Sequence, residues 1–248
     1  MSSFSAGRPK AFRFKKFVVE HDRCAMKVGT DSIILGSWTE PNNAKYILDI
    51  GSGSGILTLM MAQKASPKAM LTGVELDERA HHQSEQNVQR AHFPQAIKML
   101  NADIKTIYPS QKYDLIITNP PYFKDEIIAE QRRNPISTSR NQARSQSSLS
   151  HDELCETASR MLSENGQFVC ILPTQEIDAF IVKARAVGLL LEDRVEIHSN
   201  ILAKSIRTIV RFVFSSNVLN VSRLVIYDND GQYTEEYKEL CKDFYLNF

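Results

Sequence analysis

From residue 45 onward, short apolar segments of the sequence alternate with longer segments that have helical periodicity. Residues 46–50, 70–75, 96–100, 113–118 and 167–172 are short and rich in aliphatic side chains, as buried strands are. Strands that alternate with helices predict an α/β fold, in which a mostly parallel sheet is covered by helices on both faces.

The two predicted strands at 190–197 and 206–214 have no helix between them. They predict an antiparallel hairpin at the edge of a seven-stranded sheet. We expect a single domain over residues 1–248, because no linker divides the chain. Its parts are a basic N-terminal segment (1–44), a catalytic core (45–214) and a C-terminal strand and helix (215–248).

One helix carries its own start signal. Ser150 stands three residues before Glu153, which is the spacing of a capping box. This helix is predicted to end near Asn165-Gly166.

A glycine-rich turn, Asp49-Ile50-Gly51-Ser52-Gly53-Ser54-Gly55, follows the first strand of the alternating pattern. Glycines let the backbone approach a ligand closely, and the following helix exposes its first amide groups. A dinucleotide fingerprint needs its third glycine one position later, where this chain has Ile56. The Asp49 carboxylate would repel a pyrophosphate, but it suits a ligand that carries an amino group and a sulfonium.

Acidic residues also end the next two strands. Glu75 can accept hydrogen bonds from both ribose hydroxyls of an adenosine, and Asp103 can accept one from an adenine amino group. Because the carboxyl ends of parallel strands meet at one edge of a sheet, these acids and Asp49 predict a site for an adenosine-containing ligand.

The fourth strand ends in Asn119-Pro120-Pro121-Tyr122, which we predict to be a stiff, extended turn. The Asn119 side-chain oxygen and the Pro120 carbonyl can accept the two N–H bonds of an amino group. That arrangement favours a pyramidal nitrogen and positions it for attack on a methyl donor. Tyr122 can stack on a base that has been turned out of its neighbours.

Together these motifs resemble, in their order and over residues 45–214, the class I S-adenosylmethionine-dependent methyltransferases of the Asn-Pro-Pro-Tyr branch. The resemblance implies a Rossmann-like fold, S-adenosylmethionine as cofactor, S-adenosylhomocysteine as its product, and no metal. It implies catalytic roles for Asn119, Pro120, Pro121 and Tyr122. The cofactor-binding residues that it implies are Asp49, Gly51, Gly53, Gly55, Glu75, Asp103 and Asn119.

An upstream stretch, Phe14-Lys15-Lys16-Phe17 and residues 22–31, resembles the bacterial tRNA1(Val) adenine-N6 methyltransferases. That family methylates N6 of the adenosine on the 3′ side of the tRNA anticodon. In it this segment packs over the cofactor, which implies that Lys27 and Thr30 lie near the methionine end of S-adenosylmethionine. The resemblance therefore implies tRNA as the partner and disfavours DNA.

Other functions remain open. A glutamine-amide methyltransferase that acts on a release factor could use the same four residues, but that family has a separate helical N-terminal domain. This chain has only about 45 residues before its first core strand. An inactive RNA-binding scaffold is disfavoured because the acids and Asn119 are intact, and a DNA adenine methyltransferase because no target-recognition domain is evident.

Two clusters of basic residues predict contacts to RNA phosphates. Residues 1–27 contain seven basic and two acidic residues, although the whole chain has a net charge of only +1. Residues 131–149 contain four arginines and no acid, and a solvated loop is the alternative for them. The candidate RNA-binding residues are Arg8, Lys10, Arg13, Lys15, Lys16, Arg132, Arg133, Arg140 and Arg144.

The four cysteines (Cys24, Cys155, Cys170 and Cys241) form no C-x-x-C pair, which argues against a zinc or redox site and suits a reducing cytoplasm. No apolar run is long enough to span a bilayer, and the basic N-terminus lacks the apolar segment of a signal peptide. We therefore expect a cytoplasmic protein without a membrane partner, and favour a monomer.

Charge reversal of Arg132 and Arg133 to Glu tests the second basic cluster. We expect weaker RNA binding and a shallower dependence of log affinity on log salt, by roughly 0.7 for each phosphate that the variant no longer neutralises. Filter binding of tRNA across a salt series measures both. An unchanged affinity and salt slope would show that this segment does not contact RNA.

Overall fold

The structure, a computed structural model, describes residues 11–24, 26–120, 149–216 and 218–248. Its N-terminal part is a small antiparallel hairpin, in which β1 (Ala11–Arg13) pairs with β2 (Val18–Glu20). The buried rings of Phe14 and Phe17 in the connecting turn stack with 4.6 Å between their centroids.

The main sheet has eight strands within the described residues. They are β3 (Tyr46–Ile50), β4 (Met70–Glu75), β5 (Ala96–Asn101), β6 (Tyr113–Thr118), β7 (Leu162–Pro173), β8 (Leu190–Asn200), β9 (Ser205–Val213) and β10 (Asn220–Tyr227). Their order across the sheet is β10-β8-β9-β7-β6-β3-β4-β5. Only the pairs that involve β9 are antiparallel, so the predicted α/β fold with a mostly parallel sheet is confirmed.

Helices cover both faces of this sheet. They are α1 (Thr30–Trp38), α2 (Ile56–Lys64), α3 (Glu78–Ala91), α4 (His151–Met161), α5 (Ile177–Ala186) and α6 (Glu235–Cys241). Successive side chains of a strand point to opposite faces, so Ile47 and Leu115 join one core with α1, α2 and α6, while Leu48 and Ile116 join the other with α4 and α5.

Side chains cap the starts of three helices, among them α6, where the Thr234 hydroxyl accepts from the Tyr237 N–H. The Asp77 carboxylate accepts hydrogen bonds from the backbone N–H groups of Arg79 and Ala80 at the start of α3. The predicted capping box between Ser150 and Glu153 is present at the start of α4.

The observed elements differ from the predicted ones in two places. The predicted strand in the C-terminal part, β10, pairs with β8 as an eighth strand, so the β8–β9 hairpin is not the edge of the sheet. The prediction that α4 ends near Asn165-Gly166 is wrong, because the helix ends at Met161 and β7 begins at Leu162. Gly166 lies in β7 beside a register shift, where an added Cβ would come within 2.9 Å of the Tyr113 carbonyl oxygen.

All four cysteines are buried and free. Burial raises the pKa of Cys24 and of Cys155 to about 12, so these thiols stay protonated at neutral pH. None of the helices in the described ranges combines the length and the apolar character needed to cross a bilayer.

A buried amide joins three parts of the fold. Asn87, on α3, donates from its side-chain nitrogen to the carbonyls of Glu20 and Ser54, at 2.8 Å each. Its side-chain oxygen accepts from the backbone N–H of Glu20 at 3.0 Å. The N-terminal hairpin, the glycine-rich turn and α3 therefore depend on one side chain that is fully excluded from solvent.

We expect Asn87→Ala to lower the free energy of unfolding by about 2–4 kcal/mol, because buried backbone groups lose their partners. Urea denaturation measures this change. The control is Gln89→Ala on the exposed side of the same helix, for which we expect a change below about 0.5 kcal/mol. Equal unfolding midpoints for the two variants would contradict the assigned role of Asn87.

Candidate active site

The glycine-rich turn leaves open space beside its backbone. Gly51, Gly53 and Gly55 all have left-handed φ angles, of 69°, 54° and 80°. A Cβ added to Gly51 or Gly53 would meet no atom within 4 Å. A Cβ at Gly55 would lie 3.2 Å from that of Ser84, so the third glycine permits the close approach of α3. The first two glycines thus border space that a ligand can fill.

Asp49 is buried beneath this turn with half of its carboxylate unsatisfied. Its Oδ2 atom accepts hydrogen bonds from the backbone N–H and the hydroxyl of Thr58, at 3.0 and 2.7 Å. Its Oδ1 atom and the Ser52 hydroxyl are buried without a partner among the described residues. Burial raises the pKa of Asp49 to about 7, although the two Thr58 hydrogen bonds oppose that shift. A ligand with an N–H or O–H donor would satisfy these atoms.

Glu75 ends β4 beside the turn. Its Oε2 atom accepts from the Gly53 N–H at 2.8 Å, and its Oε1 atom accepts from the Asp77 N–H at 2.9 Å. A carboxylate has about four acceptor positions, so it can still accept two hydroxyl groups. Asn101 fixes this end of the strand, because its side chain donates to the carbonyls of Glu75 and Leu76 at 2.9 and 3.0 Å.

Asp103 lies beyond the end of β5, as predicted, and is half-buried. Its carboxylate caps the short 3-10 turn Ile104–Thr106 by accepting from the Lys105 N–H at 2.9 Å. The carboxylates of residues 49, 75 and 103 thus lie at or just beyond the carboxyl ends of three adjacent parallel strands, at one edge of the sheet.

Asn119 directly follows β6 at the same edge. Its side-chain nitrogen donates to the Ser32 hydroxyl on α1 at 2.9 Å. The next residue, Pro120, is buried. Asn119 lines a cavity of about 360 Å³, which lies between the first turn of α1 and the ends of β8, β9 and β10. An ion pair between Arg207 and Asp31, at 2.9 Å, joins β9 to α1 at this cavity.

The N-terminal segment packs beside the turn and Glu75. Cys24 lies near enough to Glu75 for that carboxylate to contribute to its raised pKa, after the effect of burial. The Lys27 ammonium donates to the carbonyls of His21, Asp22 and Cys24, at 2.7, 3.2 and 3.4 Å, which accounts for its three donors. Thr30 begins α1 and, like Lys27, lines the cavity that contains Asn119. Contacts from Lys27 and Thr30 to a cofactor stay a prediction.

Three basic residues of the N-terminal hairpin, Arg13, Lys15 and Lys16, lie away from this site. Lys15 donates to the carbonyls of Lys242 and Phe248, in the C-terminal tail. The neighbouring Phe17 packs against Phe93, which follows the end of α3 at the amino edge of the sheet. Arg13 and Lys16 are exposed in the same hairpin as Lys15. These three candidate RNA-binding residues therefore lie at the edge of the sheet opposite Asn119.

The remaining predicted site residues lie outside the described residues. They are Arg8, Lys10, Pro121, Tyr122, Arg132, Arg133, Arg140 and Arg144.

Sequence reasoning missed Ser32, Arg207 and Tyr227, all of which line the cavity with Asn119. The directions of the strands could have identified Arg207 and Tyr227 as residues near the site. A strand antiparallel to β7 begins at the edge where β7 ends, which places Arg207 there, and β10 ends at that edge because it is parallel to β8.

One group of possible metal ligands occurs in the described part of the chain. Atoms of His81, His82 and Glu85 on α3 lie within 4.8 Å of one another. His82 is exposed and Glu85 is partly exposed. Exposed groups of this kind are common without an ion, and metal-free chemistry stays a prediction.

Comparison with known proteins places this geometry among methyltransferases. The family model "Methyltransferase small domain" matches residues 24–179. A protein of Klebsiella pneumoniae subsp. pneumoniae, named tRNA1(Val) (adenine(37)-N6)-methyltransferase, is 40% identical over 99% of this chain and 98% of its own length. A protein of Haemophilus influenzae with the same name is 38% identical over 96% of this chain and 99% of its own length.

Solved structures show the same fold. A protein from Agrobacterium tumefaciens, described as a predicted O-methyltransferase, superimposes with a TM-score of 0.67 at 19% identity, over 86% of this chain and 96% of that one. A putative class I S-adenosylmethionine-dependent methyltransferase from Listeria monocytogenes gives a TM-score of 0.54 at 14% identity, over 78% and 62%. The Rossmann-like class I methyltransferase fold is therefore confirmed.

The raised pKa of Asp49 predicts a pH-dependent stability. Between the ordinary value of 3.8 and about 7, the folded protein keeps a proton that the unfolded chain has released. Stability therefore falls as pH rises through this window, by up to about 1.4 kcal/mol per pH unit from this group. Urea unfolding at a series of pH values should show that decline reduced in Asp49→Asn. Parallel curves for the two proteins would exclude this contribution.

Proposed function

Because the chain belongs to the family of tRNA1(Val) (adenine(37)-N6)-methyltransferases, we propose that it methylates N6 of adenosine 37 in tRNA1(Val), with S-adenosylmethionine as donor. The observation that carries the proposal is the position of Asn119. It directly follows β6, which pairs in parallel with β3, the strand that leads into the glycine-rich turn. An amide that can hold a substrate amino group therefore stands next to a turn that can hold the donor.

The residues around the glycine-rich turn fit an adenosine ligand that carries a charged amino acid. The unpartnered Oδ1 atom of Asp49 can accept from an ammonium group, and Glu75 has acceptor positions left for two ribose hydroxyls. Asp103 can accept from an adenine amino group beyond β5. When bound, S-adenosylmethionine supplies a methyl group on a positively charged sulfur, which needs no further activation.

Asn119 and Pro120 act on the substrate nitrogen. The lone pair of an adenine amino group is delocalised into the ring, so the group is a poor nucleophile. We assign the Asn119 side-chain oxygen and the Pro120 carbonyl to the two N–H bonds. These hydrogen bonds favour a pyramidal nitrogen and localise its lone pair, so that catalysis rests on position and electrostatics. The nitrogen releases its extra proton after the methyl group has been transferred.

The Ser32 hydroxyl supports this assignment of atoms. It accepts from the Asn119 amide nitrogen, so the NH₂ group of this amide is turned toward α1. We assign Pro121 to the stiffness of the turn and Tyr122 to stacking on the target adenine, as the sequence predicts.

A glutamine-amide substrate is the second candidate, because an amide NH₂ presents the same two donors. The names of the relatives favour tRNA. Four free, buried thiols are compatible with a reducing compartment, and we propose the cytoplasm as the site of action. That the enzyme acts as a monomer stays a prediction.

Asn119→Ala tests the catalytic assignment. We expect the rate of methyl transfer to unmodified tRNA to fall by at least about 100-fold, because a preorganised hydrogen bond to the reacting nitrogen is removed. Affinity for S-adenosylhomocysteine, measured by calorimetry, should fall only modestly. The matched control is Asn43→Ala, at an exposed asparagine that precedes β3 at the opposite edge of the sheet.

Parallel reactions with labelled S-adenosylmethionine and tRNA, protein or DNA, followed by nucleoside analysis, identify the substrate class. Near-normal turnover in Asn119→Ala would refute the role of the amide. Label in protein and none in tRNA would favour the glutamine-amide substrate.

A further inference from the structure

Three tyrosine rings form a stack that runs from the core to the surface at the C-terminal part of the fold. Tyr237, on α6, is fully buried. Tyr233 lies on it with 5.1 Å between ring centroids and 21° between ring planes. Tyr227, at the end of β10, lies on Tyr233 with 5.0 Å and 24°. Tyr227 is 37% exposed, so the stack ends in a ring that is accessible to a ligand.

A tight turn holds the outermost ring in place. Residues 227 and 233 form an antiparallel bridge. Within the turn, the Asp228 carboxylate accepts from the backbone N–H groups of Asp230 and Gln232, at 3.0 and 2.8 Å. A hydrogen bond to Tyr227, followed by burial, raises the pKa of Tyr233 to about 12. The Tyr227 ring is therefore held in position before any ligand arrives, which lowers the entropic cost of binding.

The stack ends at the cavity that contains Asn119. β10 runs parallel to β8, so its last residue lies at the edge of the sheet where β6 ends. Tyr227 and Asn119 both line the cavity of about 360 Å³, together with the aliphatic side chains of Ile197, Ile206 and Ile226. Pockets of about 300–1,000 Å³ with apolar walls and a few polar groups are typical of ligand sites.

The side chains that line this cavity beside Tyr227 fit a nucleobase. Aromatic rings bind single-stranded RNA by stacking on bases, since every base offers a flat π-face. Lys204, exposed in the β8–β9 turn at the same edge, supplies a positive charge for the sugar-phosphate backbone. Among the described residues, Tyr233 is the only aromatic partner of Tyr227.

We propose that Tyr227 stacks on a base that flanks the methylated adenosine in the RNA. This inference rests on the proposed function, and it adds a second contact to the one assigned to the target base. By holding a neighbouring base, the Tyr227 ring fixes the RNA strand while the target adenosine turns toward Asn119. Tyr227 therefore determines affinity for RNA and does not take part in methyl transfer.

The test compares variants on two kinds of RNA. The RNAs are an unmodified tRNA, and the same tRNA with one abasic site on the 5′ or the 3′ side of the target. The variants are Tyr227→Ala, Tyr227→Leu, which keeps apolar cover over Tyr233, and Tyr227→Phe, which keeps the ring. The control is Tyr108→Ala, at a 77% exposed tyrosine whose ring contacts Arg160 near the opposite edge of the sheet.

With intact tRNA, we expect KM for RNA to rise about tenfold in Tyr227→Ala and Tyr227→Leu, as removal of one stacked base implies. We expect kcat and affinity for S-adenosylhomocysteine to stay within about twofold, and Tyr227→Phe and the control to match the unsubstituted enzyme. One of the two abasic RNAs should raise KM for the unsubstituted enzyme by a similar factor and have no further effect on Tyr227→Ala.

Two results would overturn the inference while the proposed function stands. The first is an unchanged KM for RNA in both Tyr227→Ala and Tyr227→Leu. The second is an equal effect of each abasic site on the unsubstituted enzyme and on Tyr227→Ala. If the unsubstituted enzyme transfers no methyl group to intact tRNA, the proposed function itself fails and this inference falls with it.

Discussion

The parallel pairing of β3 with β6 is the constraint on which the site depends. In register, Ile47 lies beside Leu115 and Asp49 beside Ile117, so the glycine-rich turn and Asn119 emerge at the same edge. Alternate side chains of both strands enter different cores, and those of Leu115, Ile116 and Ile117 are fully buried. A slip of one residue would exchange the two faces, so hydrophobic burial on both sides of the sheet fixes the position of the glycine-rich turn relative to Asn119.

Polar contacts hold the N-terminal segment beside the glycine-rich turn. Asn87 links β2 to the turn, and the Gln83 side chain accepts from the Arg23 N–H at 2.9 Å and from the Cys24 thiol at 3.2 Å. Because amide side chains satisfy specific backbone groups, they fix the path of an extended segment more sharply than apolar packing does. The sheet supplies the strand ends, and α3 supplies the amides that fold residues 18–24 against them.

The sequence predicts the local parts of this structure well and the long-range parts poorly. The strand at 46–50, the capping box at Ser150 and the glycine-rich turn follow from the spacing of a few neighbouring residues, and the structure contains all three. The sequence predicts that Lys15 contacts RNA phosphates, and it gives no sign that the Lys15 ammonium donates to carbonyls of the C-terminal tail more than 200 residues away. Tyr227 belongs to the C-terminal part in which the sequence predicts a strand, and the order of strands across the sheet is what brings it to the cavity of Asn119.

Asp49 shows why a site of this kind opposes the stability of its own fold. Its carboxylate is buried, one oxygen has no partner among the described residues, and its pKa is raised to about 7 because burial disfavours the charged form. A hydrophobic residue in its place would relieve that penalty. A cationic group of a ligand would also lower the cost of burying Asp49, by pairing with the charged carboxylate. The ligand would then bind more tightly, because its binding removes a cost that destabilises the free protein. A ligand bound beside the turn would therefore stabilise the end of β3 through this carboxylate.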